Sequence, residues 1–179
     1  MEGKNMAIVW TTEPLQQSKA TAAVVIKNPH EVKNAFTINT ELKAAETLKL
    51  DSQKEISQLK DFLKNYDMAS ISTDELRKVG RRLYDSGIIS GQAFGMFIGG
   101  DLANDEKGLP TNTHVKFNAI ALFNERLESY DEFLKDNPKL ATQDNLAWRQ
   151  GMVAANQAIS ALTYFVNSSH NHLAIDERA

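Results

Sequence analysis

His170, Asn171 and His172, with Asp176 and Glu177 close behind, bring two imidazoles and two carboxylates into one short stretch. These are good ligand types for zinc or another transition metal. A working site also needs outer groups that orient the rings. The stretch follows the last sustained helical period, in a tail where nothing supplies them. His170, His172 and Asp176 are therefore the candidate ligands, but they read as solvated tail residues. No cofactor is expected. His30 and His114 stand alone, so spacing supports no Ser–His–Asp assembly. The chain has no cysteine, which excludes disulfides, thiolate catalysis and cysteine-bound zinc or iron–sulfur clusters.

The acidic loop from Asp101 to Gly108 invites a calcium reading. An EF-hand loop needs oxygen ligands at alternating positions, glycine at the sixth and glutamate at the twelfth. Here those places hold Ala103 (third), Glu106 and Asn112, so the loop reads as a solvated connector. Gly99-Gly100 lacks the strand, the following helix and the lysine of a phosphate cradle. Asp131 and Glu132 are neighbours on a helix and diverge by about 100°, which is no glycosidase pair.

Arg77, Lys78, Arg81 and Arg82 precede the turn Asp85-Ser86-Gly87 and another helical segment. In a helix-turn-helix the second helix carries polar or basic readers into the groove. Here it offers Gly91, Gln92, Ala93, Phe94, Gly95, Met96 and Phe97. With a net charge of -3 over 179 residues, binding to nucleic acid is not expected. The stretch from Leu76 through Phe97 resembles the two-helix SHOCT motif of bacterial proteins. The likeness lies in a leucine-bearing helix, the turn Tyr84-Asp85-Ser86-Gly87-Ile88-Ile89-Ser90 and a following helix with Phe94. It implies oligomerisation or protein contacts rather than catalysis. The acidic residues usual in that motif's second helix are missing here.

These residues need elements to carry them. Trp148, Met152, Ala155, Ile159, Leu162 and Val166 recur at spacings of four, three, four, three and four. That is one apolar face of a helix over about 142–168, with Thr142 as N-cap. Ile120, Phe123, Leu127, Tyr130 and Leu134 predict a second helix over 114–136. Asn137-Pro138 between them folds one back along the other. Upstream, Ser52 with Glu55 and Ser72 with Glu75 fit capping boxes. The first opens a helix burying Ile56, Leu59, Leu63 and Tyr66; the second, one burying Leu76, Val79, Leu83 and Tyr84. Gly87 is placed as a left-handed C-cap, and Ser90 caps a short helix bearing Phe94, Phe97 and Ile98.

The fold class is therefore all-α: a bundle of about five helices over 51–179 with a long C-terminal antiparallel hairpin. Residues 1–50 read as a weakly ordered arm. Within them Ala22–Ile26 and Phe36–Ile38 look strand-like, and Thr40–Leu50 is compatible with a helix. No stretch reaches the length of a membrane span, and the N-terminal layout is not that of a Sec signal, so Met1 is expected to begin the mature chain.

The expected function is a non-enzymatic protein–protein interaction or oligomerisation module. The surface expected to meet a partner, or a second copy, is Trp148, Met152, Ile159, Leu162 and Val166. An exported, secretion-associated helical protein is one alternative, since the cysteine-free chain has a Thr- and Asn-rich arm. Localisation is then cytoplasmic or secreted by a non-Sec route. A bundle with a buried ligand or enzymatic pocket is the other alternative. Asn118, Asn156 and Gln157 are its polar markers, because a single amide near an apolar face can orient a ligand.

Overall fold

The computed structural model describes residues 36–101 and 103–169. Six helices make up most of it: α1 (Glu41–Thr47), α2 (Gln53–Leu63), α3 (Thr73–Asp85), α4 (Gly91–Gly99), α5 (Ala119–Asp136) and α6 (Gln143–Ser169). Two short strands, β1 (Ile71–Ser72) and β2 (Lys116–Phe117), pair antiparallel with Ile71 opposite Phe117. The molecule is all-α in class, and α6 is its longest element.

Local chemistry sets the helix starts. Both capping boxes form. Glu55 and Glu75 donate their backbone N–H to the hydroxyls of Ser52 and Ser72, each at 3.3 Å, and their carboxylates accept from the N-cap amides. Ser90, Asn118 and Thr142 accept in the same way from Ala93, Ala121 and Asn145. Gly87 ends the α3 turn with φ +71°, a conformation that costs glycine nothing. The helix expected from residue 114 begins only at Ala119. Lys116 and Phe117 are taken into the β1 pairing, and the Ala119 amide donates to the Met68 carbonyl at 3.0 Å. Periodicity in α5 could not reveal that competing partner.

The hairpin forms as its spacing predicts. Asp131 meets Arg149, 18 residues away, and the Phe123 carbonyl meets Asn156, 33 residues away. Such a separation, widening away from the turn, is that of antiparallel neighbours. Helix α6 then serves as the axis against which α1, α2, α4 and α5 pack, while α3 packs chiefly on α4. Phe97 of α4 places its ring edge-on to Phe123 of α5 at 5.2 Å between centroids. Burying each large seam side chain is worth ~1.5–3 kcal/mol.

Helix α1 lies within the stretch set apart as an arm by composition. Its Ala44 and Ala45, with Leu48 and Ile38 beside it, are buried in the common core. Phe36–Ile38 is not strand, and Ala22–Ile26 lies outside the described residues. The buried sets of α4 and α3 are narrow, and that of α3 differs from the periodic reading. In α4 the buried set is Ala93, Met96 and Phe97, leaving Ile98 exposed and Phe94 half-exposed. In α3 Leu76, Val79 and Leu83 are buried, whereas Tyr84 is exposed. Position 84 follows Leu83 by about 100°, which turns it away from the inward stripe.

Gly80 explains how closely α3 and α4 approach. A Cβ there would fall 2.3 Å from the Phe97 Cβ. Gly80→Ala would gain up to about 1 kcal/mol of helix propensity, against an overpacking cost of roughly 1–3 kcal/mol. The clash involves Cβ itself, so trimming the Phe97 ring does not relieve it. Net destabilisation is expected in urea unfolding; a gain in stability would show that the two helices separate freely.

The Glu75 carboxylate is held below its ordinary range, first by the Ser72 amide, with burial opposing and the Ser72 hydroxyl and Lys116 helping. A depressed folded-state pKa gives stability that is fully present above the unfolded value of about 4.3 and lost as pH falls through the folded value. Glu75→Gln keeps a capping-box side chain while removing the titration. It should flatten the acid limb of the stability profile; an unchanged limb would assign the acid sensitivity elsewhere.

Candidate interaction surface

The outward side of the α3–α4 hairpin collects apolar rings and cations. The tight turn at Gly87 and the contact at Gly80 bring Tyr84 onto Phe94, stacked 4.8 Å apart with ring planes within 8°. Trp148 reaches from α6 over Gly95: a Cβ on that glycine would sit 3.1 Å from the indole. Tyr84, Ile98 and Trp148 remain 42%, 41% and 39% exposed. Arg77 donates from Nε to the Ile98 carbonyl at 2.7 Å, satisfying a group at the C-terminal end of α4. Arg81 pairs with Asp85 at 2.9 Å. Lys78 and Arg82 are exposed and ion-pair with no described residue. Aromatic and arginine side chains at partial exposure are the types enriched where proteins meet.

The exposed side of α5 has the opposite sign. Glu125, Glu128, Glu132 and Asp136, spaced three, four and four, lie on one face. All four are exposed, and none forms an ion pair with a described residue. Phe133 beside them is 43% exposed, with Leu140 and Leu146 similarly exposed around the hairpin turn. Asp131 differs, because Arg149 grips it with two hydrogen bonds at 2.5 and 2.7 Å. That hydrogen-bonded partner holds the guanidinium above its usual pKa. The Arg126 guanidinium is pushed down by burial, with Asp101 and Glu125 opposing.

The sequence-derived interaction seam falls elsewhere. Met152, Ile159, Leu162 and Val166 are buried within this chain, so they form core rather than a free face. Trp148 alone of that set reaches the surface. The physical reason is that α1, α2, α4 and α5 together supply the cover that the seam requires.

The candidate ligands His170, His172 and Asp176 lie outside the described residues, as does His30. Among the described residues no group of three or more His, Cys, Asp or Glu could hold a metal ion. In the loop read as a connector, Asp101 accepts from Thr73 and Ala103, and Asp105 from Lys107 and Leu109. Those carboxylates fold the loop. Of the three amide markers, Gln157 is exposed. Asn156 is fully buried and donates from Nδ2 to the Phe123 and Met152 carbonyls at 2.9 and 3.0 Å, leaving Oδ1 without a partner among the described residues. Asn118 caps α5 through Oδ1 and leaves its buried Nδ2 without one.

Sequence reasoning missed the stacked ring pair of exposed Tyr84 and half-buried Phe94. A signal was present: residues 91–100 contain no charge, so α4 is apolar on more sides than one neighbour can cover. Comparison with protein-family models, curated proteins and solved structures finds no match to this chain, so the local SHOCT likeness carries no family assignment.

Proposed function

We propose that the chain is a non-enzymatic helical module for protein–protein interaction or oligomerisation, engaged through the α3–α4 face rather than the α6 seam. The observation that carries this reading is the exposed set Tyr84, Ile98 and Trp148, with the half-buried Phe94 stacked on Tyr84 and Arg77 and Arg81 at the border. Rings in such a setting bury large area with few rotatable bonds, and a basic rim selects the partner's charge. Among the described residues no helix is long and apolar enough to cross a membrane.

The test is quantitative mass spectrometry of what co-purifies with the tagged chain, beside a Tyr84→Ser, Ile98→Ser variant. Both positions are exposed, so circular dichroism should show retained helicity. A stoichiometric partner, or a second differently tagged copy, lost in the variant supports the module. Equal recovery from both chains would move the function off this face.

A second reading, a ligand-binding bundle, is supported by the unpartnered Asn156 Oδ1 and Asn118 Nδ2, an acceptor and a donor in buried positions. A ligand that raises the melting temperature of the wild type but not of Asn156→Leu would favour it. Export by a non-Sec route concerns chiefly residues 1–35, outside the described residues.

A further inference from the structure

We infer that a second copy of this chain is a partner for the α6 seam, through exchange of α1 between the two copies. The exchange uses a different surface from the α3–α4 face and goes beyond that reading. The observation that carries it is the turn joining α1 to α2. Helix α1 ends in a Schellman turn: the Lys49 amide donates to the Glu46 carbonyl at 3.1 Å, and the Leu50 amide to the Ala45 carbonyl at 2.9 Å. Such a turn puts one residue in the left-handed region, a position that favours glycine. Here that residue is Lys49, at φ +52°. Its Cβ crowds the following carbonyl, a strain that glycine does not have. Among the described residues the other non-glycine residue in this region is Asn112, and asparagine tolerates it.

The element beyond this hinge is suited to exchange. Helix α1 has seven residues, too few to stay helical in water without a surface to pack on. It buries Ala44 and Ala45, with Ile38 and Leu48 beside it, and α6 is its chief neighbour. The Glu41–Lys60 ion pair at 2.7 Å holds it beside α2, and Lys60 in turn lies over the Phe165 ring of α6. Residues 48–52 link α1 to the helices that it covers.

No glycine or proline interrupts residues 41–63. The hinge can therefore straighten, so that α1 and α2 run on as one helix of 23 residues, about 34 Å long. Straightening relieves Lys49, gives up the Ser52 cap and carries α1 away from its own α6. A second straightened copy supplies the missing cover, since its α1 is the segment that the site already fits. The exchange is reciprocal, so two copies close about a two-fold axis and regain every α1 contact of the closed chain. A short hinge under strain is the setting in which exchange competes with closure.

The test is sedimentation velocity of the full chain after refolding from urea at low and high concentration. A dimer fraction that rises with refolding concentration is expected. After dilution it should outlast a surface contact, because separation requires both α1 helices to leave their seats. Lys49→Gly removes the strain of the closed hinge and disfavours a helical one, so the dimer should weaken by about tenfold or more.

The decisive comparison reverses the ion pair. Glu41→Lys and Lys60→Glu each set like charge against like wherever α1 docks on a chain of its own kind. Both side chains are partly exposed, so folding should persist, checked by circular dichroism. Refolded together one to one, the two variants restore opposite charges when each places its α1 on the other. Heterodimers should then exceed the half share that random pairing gives, read by mass spectrometry of the intact complexes. A chain that refolds as a monomer at every concentration overturns the inference, as does a dimer in which the two variants pair at random. Rapidly reversible association that ignores Lys49→Gly but is lost in Tyr84→Ser, Ile98→Ser also overturns it, and leaves the α3–α4 reading standing. Slow exchange that persists in that double variant supports it, whatever the α3–α4 face proves to bind.

Discussion

Asn156→Asp should lose roughly 3–5 kcal/mol of stability at neutral pH, the scale of an uncompensated charge in a protein core. The wild-type amide sits between α5 and α6 with Nδ2 donating to two carbonyls, and it is wholly buried. A carboxylate there would turn acceptor oxygens towards acceptor oxygens in a fully buried site. The introduced group escapes by binding a proton, so its folded-state pKa rises above the unfolded value of about 3.9. The sign follows directly. Destabilisation is smallest below the unfolded pKa and deepens as pH rises, by about 1.4 kcal/mol per unit, until the folded-state pKa is reached.

The control is Asn156→Leu, of similar size. It removes the unpartnered Oδ1, and the Phe123 and Met152 carbonyls, on the inner turns of α5 and α6, keep their helical bonding. Replacing a partly satisfied polar group by an apolar one of like shape is expected to change stability by less than about 1.5 kcal/mol. Urea denaturation of the three chains at several pH values decides the matter. If Asn156→Asp unfolds with the wild-type midpoint at neutral pH, the site is wet and Asn156 is not a core residue.

Phe97→Ala is the second large effect, with an expected loss of about 3–5 kcal/mol. Phe97 is fully buried, meets Phe123 edge-on and lies against Gly80. Three helices, α3, α4 and α5, therefore depend on one ring. Globular domains are stable by only about 5–15 kcal/mol, so the variant sits near the edge of folding. Its readout is distinctive: the cavity should lower the melting temperature and loosen the α4 amides to hydrogen exchange before those at the centre of α6. Uniform protection across both helices, with little loss of stability, would mean that α4 is held by contacts other than Phe97.

These effects also show where the chain's own pattern speaks. The capping boxes at Ser52 and Ser72, the glycine turn at Gly87 and the α5–α6 hairpin were all legible, because each depends on residues close in sequence. A hydroxyl three residues before a glutamate, or an apolar residue every three or four, meets its partner whatever surrounds it. The amides Asn118 and Asn156 were likewise marked by their position near apolar faces. Their unpartnered atoms were not legible, because an amide's satisfaction depends on what lies across the helix interface.

The α6 seam marks the limit. Ile159 and Leu162 announced a face that must be covered, and the sequence alone determined that much, together with the helical class and the helix caps. What covers the face was decided by tertiary structure: α1, α2, α4 and α5 close over it, and the exposed apolar surface moves to Tyr84, Ile98 and Trp148. Periodicity records which side of a helix avoids water. It carries no information on whether the cover is the same chain or another, since burial free energy follows apolar area removed from water regardless of its source.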